Sequence, residues 1–154
     1  MNLKDKLKKE IQSNENSKVD WEKRKSEWIN SVNELNEMII EWFSDYKAEG
    51  LLDFKFSEKE NTEEYIGNYK VNILHLCFTT GKEIVIEPIG TLIIGAWARF
   101  DVYARGYNSG KYFILRYKEE SGEFTWHISN PQNRRDVQVL SKEVLESIFE
   151  KWLS

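Results

Sequence analysis

The stretch Trp97-Ala98-Arg99-Phe100-Asp101-Val102-Tyr103-Ala104-Arg105 decides how the chain is to be read. Its even positions, Ala98, Phe100, Val102 and Ala104, are apolar, while Trp97, Arg99, Asp101, Tyr103 and Arg105 carry a charge or an aromatic ring. Successive strand side chains point to opposite sides, so this period of two predicts a strand with one face in the core. The small alanines leave room for a helix to approach the even face. The odd set is then expected to look away from the helices.

On both sides of this stretch the chain reads as short strands joined by tight turns. Leu52, Phe54 and Phe56 alternate with Asp53, Lys55 and Ser57, and Asn61 to Asn68 reads as a connection. Tyr69 to Thr79 and Glu83 to Glu87 flank a Thr79-Thr80-Gly81-Lys82 turn, after which Pro88 and Gly90 predict an edge or a bend. Tyr112 to Lys118 follows a turn over residues 107–110, and Glu123 to Ser129 follows Ser121-Gly122. The connections are too short for parallel crossovers, so the sheet is expected to be antiparallel, with five or six strands. Asn130 to Asp136, with Pro131 and two adjacent arginines, reads as a surface loop.

A helix is expected at each end. Trp28, Val32, Leu35, Ile39, Trp42 and Tyr46 recur three and four apart, forming one stripe that Trp21 continues backward. Asp20 and Gly50 are the expected start and stop signals. That long helix would run for about 40 Å at 1.5 Å per residue. Ser141 is the expected N-cap of a final helix whose apolar face holds Val144, Leu145, Ile148, Phe149, Trp152 and Leu153. Residues 1–18, with only Leu3, Leu7 and Ile11 as apolar points, read as a flexible or weakly helical arm. Residues 19–154 then form a single α+β domain with both helices on one face of the sheet.

Composition narrows the function. The chain has one cysteine, Cys77, and two histidines, His75 and His127, which excludes an internal disulfide and a zinc site made of Cys and His alone. No apolar run approaches the roughly 20 residues of a membrane helix, and the charged stretch Met1 to Ser17 lacks the apolar h-region of a secretory signal. The expected address is the cytoplasm. Residues 97–118 hold Arg99, Arg105, Lys111, Arg116 and Lys118 against Asp101 alone, inside a chain of net charge −4. A basic hairpin in an acidic protein suits a protein partner or a small anionic ligand better than nucleic acid, which needs a concentrated positive footprint.

If the hairpin register brings the two polar faces together, Trp97, Arg99, Asp101, Tyr103, Arg105 and Arg116 form one binding surface. Arginine and aromatic side chains are enriched where binding energy concentrates. The plainer alternative is a solvated face on which Arg99 pairs with Asp101 and Arg105 with Glu87 or Glu83. The expectation is a non-catalytic binding module of the immunity, antitoxin or inhibitor kind, with no cofactor or metal. The alternative is a small metal-dependent hydrolase or nuclease-like enzyme using Glu87, Asp101 and His127. Arg116-Tyr117-Lys118 lacks the acid that a restriction-nuclease pattern would want two residues before its lysine. His75 and Cys77 could form a thiol nucleophile with its base, but a strand apolar on both faces argues for a structural role. A homodimer through Trp21, Trp28 and Trp42 on the long helix is the third expectation.

Overall fold

A computed structural model describes residues 2–91, 96–106 and 110–154, with the side chains of residues 12–20 and of Arg134 excepted. Helix α1 spans Leu3–Trp42, and Asn2 caps it by accepting from the Asp5 N–H at 2.8 Å. Leu3, Leu7 and Ile11 are exposed, and the packed stripe lies in residues 21–42, where Trp28, Val32, Leu35 and Ile39 are fully buried. The periodicity continues to Tyr46, but the helix breaks at Phe43, and α2 (Ser44–Ala48) is a separate turn of helix. Gly50 takes a positive φ of 73°, the left-handed stop expected of it.

The sheet comprises β1 (Leu52–Glu63), β2 (Gly67–Phe78), β3 (Glu83–Gly90), β4 (Ala98–Ala104), β5 (Tyr112–Lys118), β6 (Phe124–Asn130) and β7 (Asn133–Val139). These seven strands lie in sequence order, each antiparallel to the next, and α3 (Lys142–Leu153) closes the chain. The architecture is therefore α+β, with seven strands in place of the expected five or six. The additional strand is β7, where the sequence predicts a loop. It is an edge strand with Val137 and Val139 exposed, so no core forces an apolar alternation on it. The connection expected at Asn61 to Asn68 is instead the outer half of a β1–β2 hairpin. The turn expected at 107–110 lies, Gly110 apart, outside the described residues.

Pairing of β2 with β3 covers only Leu74 to Cys77, so the outer half of the hairpin runs on as a two-stranded ribbon. Two-stranded ribbons twist strongly, and here the buried parity changes. Leu74 and Leu76 are buried near the sheet centre, whereas Tyr69 and Val71 are the buried residues toward the tip. The twisted tip meets α1, where Tyr65 stacks on Trp21 at 5.2 Å between ring centroids.

The core lies between the even face of β4 and the helices. Phe100 packs against Trp28 of α1 at 5.1 Å, and Tyr112, on the same face of β5, packs against Trp152 of α3 at 5.8 Å. Ser141 caps α3 by accepting from the Val144 N–H at 3.2 Å, and Leu140 and Leu145 are both buried beside that cap. Of the three tryptophans expected to serve a dimer, Trp28 is wholly inside the protein, while Trp21 and Trp42 are partly buried against the core.

Candidate functional site

The six residues expected to share one surface divide between the two sides of the sheet. Register decides the division. Phe100 stands opposite Ile114 and Ala98 opposite Arg116, so Arg116 has the parity of the core face. It is 7% exposed beneath α1, donating to the Ser31 hydroxyl and, at 3.0 Å, to Glu34. Phe124, Trp126 and Trp97 surround its guanidinium at 4.1, 4.6 and 5.8 Å from the ring centroids. Burial holds its pKa below the ordinary arginine value, and the carboxylates of Glu34 and Glu27 offset only part of that. Ala98, the residue opposite it on β4, is fully buried.

Trp97 also faces inward, contrary to its odd number. It precedes β4, outside the regular alternation, and its ring lies 6.5 Å from Trp28 and 4.9 Å from Phe124. A second inward arginine, Arg24, sits 4.3 Å above that ring and donates to the Thr91 hydroxyl at 2.7 Å and the Trp97 carbonyl at 2.9 Å. Sequence reasoning does not single out Arg24, whose number falls beside the helical stripe. Trp97 and Arg116 therefore leave the proposed surface, and Arg99, Asp101, Tyr103 and Arg105 remain on the side free of helices.

Those four are organised by charge. Asp101 is 3% exposed, and Arg99 grips it with Nε at 2.9 Å and a second nitrogen at 3.3 Å. Lys111 reaches the same carboxylate at 3.1 Å. A carboxylate this buried needs such partners, because an unpaired charge there would be costly. The Arg99 guanidinium also lies 3.8 Å from the ring centroid of Phe113, the residue opposite Asp101 on β5. Arg105 pairs with Glu83 at 2.7 Å, one of the two acids anticipated for it.

Glu87 stands directly opposite Asp101 on β3. It accepts from Lys59 at 2.7 Å and from the Tyr103 hydroxyl at 2.8 Å. Burial works to raise its pKa, but those two hydrogen bonds and the nearby lysines win, and the net shift is downward. The same contact, with burial acting first, pushes Tyr103 up to about 12. Between these groups lies a cavity of about 410 Å³, lined by Glu87, Ile89, Asp101, Tyr103, Ala104, Gly110 and Lys111. Sequence reasoning misses Lys59 and Ile89; they belong to other strands, and only the strand order brings them here.

The metal alternative finds a pair but not a triad. Glu87 and Asp101 face each other, but His127 lies on β6, with Leu115 of β5 between it and β4. Its ring packs edge-on against Tyr117 at 5.1 Å, and its Nδ1 is buried with no hydrogen-bond partner. Among the described residues no group of three or more His, Cys, Asp and Glu is placed to hold a metal ion. No helix among the described residues is long and apolar enough to cross a membrane.

His75 lies elsewhere on the same outer face and does not serve Cys77. Its Nε2 meets Ser57 Oγ at 2.6 Å and its Nδ1 meets Glu83 Oε1 at 2.7 Å. The Cys77 thiol points to Glu83 at 4.0 Å, and burial followed by that carboxylate raises its pKa. A thiol held protonated is a poor nucleophile. The chain matches no protein-family model, no curated protein and no solved structure.

Proposed function

We propose that the protein is a cytoplasmic binding module that docks an acidic group of a partner protein, or a small anionic ligand, on the helix-free face of β3–β5. The observation that carries this reading is the cavity of about 410 Å³ beside Asp101, with Lys111 51% and Arg99 29% exposed at the side chain. Asp101 is held by two cations, so one of them can turn to an incoming carboxylate or phosphate while the other still neutralises the buried acid. Tyr103 and Ile89 add apolar contact beside the charges, the combination in which docking energy concentrates. Arg105 extends the positive rim and pairs with Glu83.

The test is capture from extracts of the source cell with wild-type and R99A/K111A baits that melt at comparable temperatures. Loss of the same captured species from the double variant supports the reading. Equal capture by both baits contradicts it. The metal-enzyme alternative is weaker, because lysine, arginine and tyrosine already occupy the two carboxylates. It predicts that magnesium or manganese raises the melting temperature, whereas the docking reading predicts no change.

A further inference from the structure

We propose that Ser57, His75 and Glu83 form a serine nucleophile with its base and orienting acid, able to take an acyl group from a small activated ester presented at the sheet surface. This inference does not rest on the docking reading: it shares with that surface only Arg105, which holds Glu83, and uses none of the groups lining the cavity.

Three adjacent strands build the arrangement. Lys55 stands opposite His75 and Ser57 opposite Ile73, while Cys77 stands opposite Glu83. Ser57 and Glu83 are thus diagonal neighbours of His75, offset by two residues in opposite directions along β2. One ring nitrogen serves each partner, at 2.6 Å to Ser57 Oγ and 2.7 Å to Glu83 Oε1. An ionised carboxylate can only accept, so Nδ1 carries a proton, and in the neutral ring Nε2 is then the acceptor for the serine O–H. That is the tautomer a general base needs, with the base oriented by a third group. Glu83 is fixed in turn because its other oxygen takes Arg105 Nε at 2.7 Å. His75 is buried and Ser57 is exposed, so an acyl donor and then a water molecule can reach the serine side of the pair from the open sheet surface. Lys55 is exposed, stands opposite His75 and lies two residues from Ser57 on the same side of β1.

In the reaction, Ser57 Oγ bonds to the acyl carbon as its proton passes to His75 Nε2. The tetrahedral adduct collapses, and the departing alkoxide leaves as the alcohol with that proton. A water molecule, deprotonated by Nε2, then attacks the acyl-serine, releasing the acid and restoring the serine O–H. With a fluorophosphonate the new bond is P–O and the broken bond P–F, so one stable adduct forms for each active serine.

The experiment treats the full chain with an alkyl fluorophosphonate and reads intact mass and the modified peptide. The same proteins are assayed for p-nitrophenyl acetate turnover. The expected result is one adduct per chain on Ser57, none in Ser57→Ala, and labelling slowed by roughly 100-fold or more in His75→Gln, the low end of what a general base contributes. Glu83→Gln is expected to slow labelling less. Ser57→Ala replaces an exposed side chain and keeps the fold, so it remains decisive if the buried His75→Gln variant unfolds. The proposal is overturned if the wild-type chain takes up no reagent under conditions that label a reference serine hydrolase. It is equally overturned if Ser57→Ala is labelled like wild type, or if folded His75→Gln reacts at the wild-type rate.

Discussion

Arg99 and Arg116 sit on neighbouring strands of one basic hairpin, yet they have opposite surroundings. Arg99 lies on the helix-free side, 29% exposed, gripping Asp101 and covering Phe113. Arg116 lies under α1, 7% exposed, inside a ring of aromatic side chains and bonded to Ser31 and Glu34. Charge counting treats them as equals. Alternation fixes sides only within a strand, and cross-strand register decides which sides of two strands coincide. A guanidinium can serve as core material when aromatic faces and a few acceptors receive it.

The largest losses are expected on the inner side. Phe100→Ala or Trp28→Ala is expected to cost about 3–5 kcal/mol, the range for emptying an aromatic site in a packed core, measured by urea unfolding. Arg116→Ala comes next, at about 1–3 kcal/mol, because Ser31 and Glu34 lose their partner and the aromatic ring loses its contents. Arg116→Met keeps the volume filled and is expected to recover part of that loss. Arg99→Ala is expected to cost less than Arg116→Ala, about 1 kcal/mol, since the buried Asp101 keeps Lys111 as its partner and the Arg99 side chain is itself partly solvated. An Arg99→Ala cost equal to that of Arg116→Ala would erase the contrast.

The smallest effect sharpens the outer side. Tyr103 is pushed up to about 12 by burial and by its bond to Glu87, so its share of stability is complete below pH 10 and is lost as pH rises through 12. Glu87, lowered overall from 4.5, contributes stability above that pH, which is lost as pH falls through its folded value. Glu87→Gln is therefore expected to move one tyrosine back toward 10 in an absorbance titration at 295 nm. It should also flatten the acid limb of the stability profile below about pH 4.5. Tyr46 and Tyr69, also near 12 but bonded to other glutamates, are expected to stay where they are. An unchanged tyrosine titration would mean that Tyr103 and Glu87 do not meet.

Much of this was legible in the residues themselves. The helical stripe of Trp28, Val32, Leu35 and Ile39 and the even face of β4 are strong periodic signals, because a core dictates them. Strand β7 gave no such signal, since an edge strand with solvent around it has little to bury. Trp97 was misread because a residue outside the ladder does not obey the ladder's alternation. Arg116 shares its parity with Ile114, and that was the available warning, but only register shows that Ile114 meets Phe100. The Ser57–His75–Glu83 chain was hidden by sequence distance: its members lie on three strands, and diagonal contacts need the pairing offset as well as the strand order.

The sidedness of the arginines can be measured directly with phenylglyoxal on the folded protein, read residue by residue by mass spectrometry. Arg105, 61% exposed at the side chain, is expected to react fastest and Arg99 more slowly, with Arg24 and Arg116 protected until the protein unfolds. Modification of Arg116 at the rate of Arg105 in the native state would contradict the assignment of faces on which the docking surface depends.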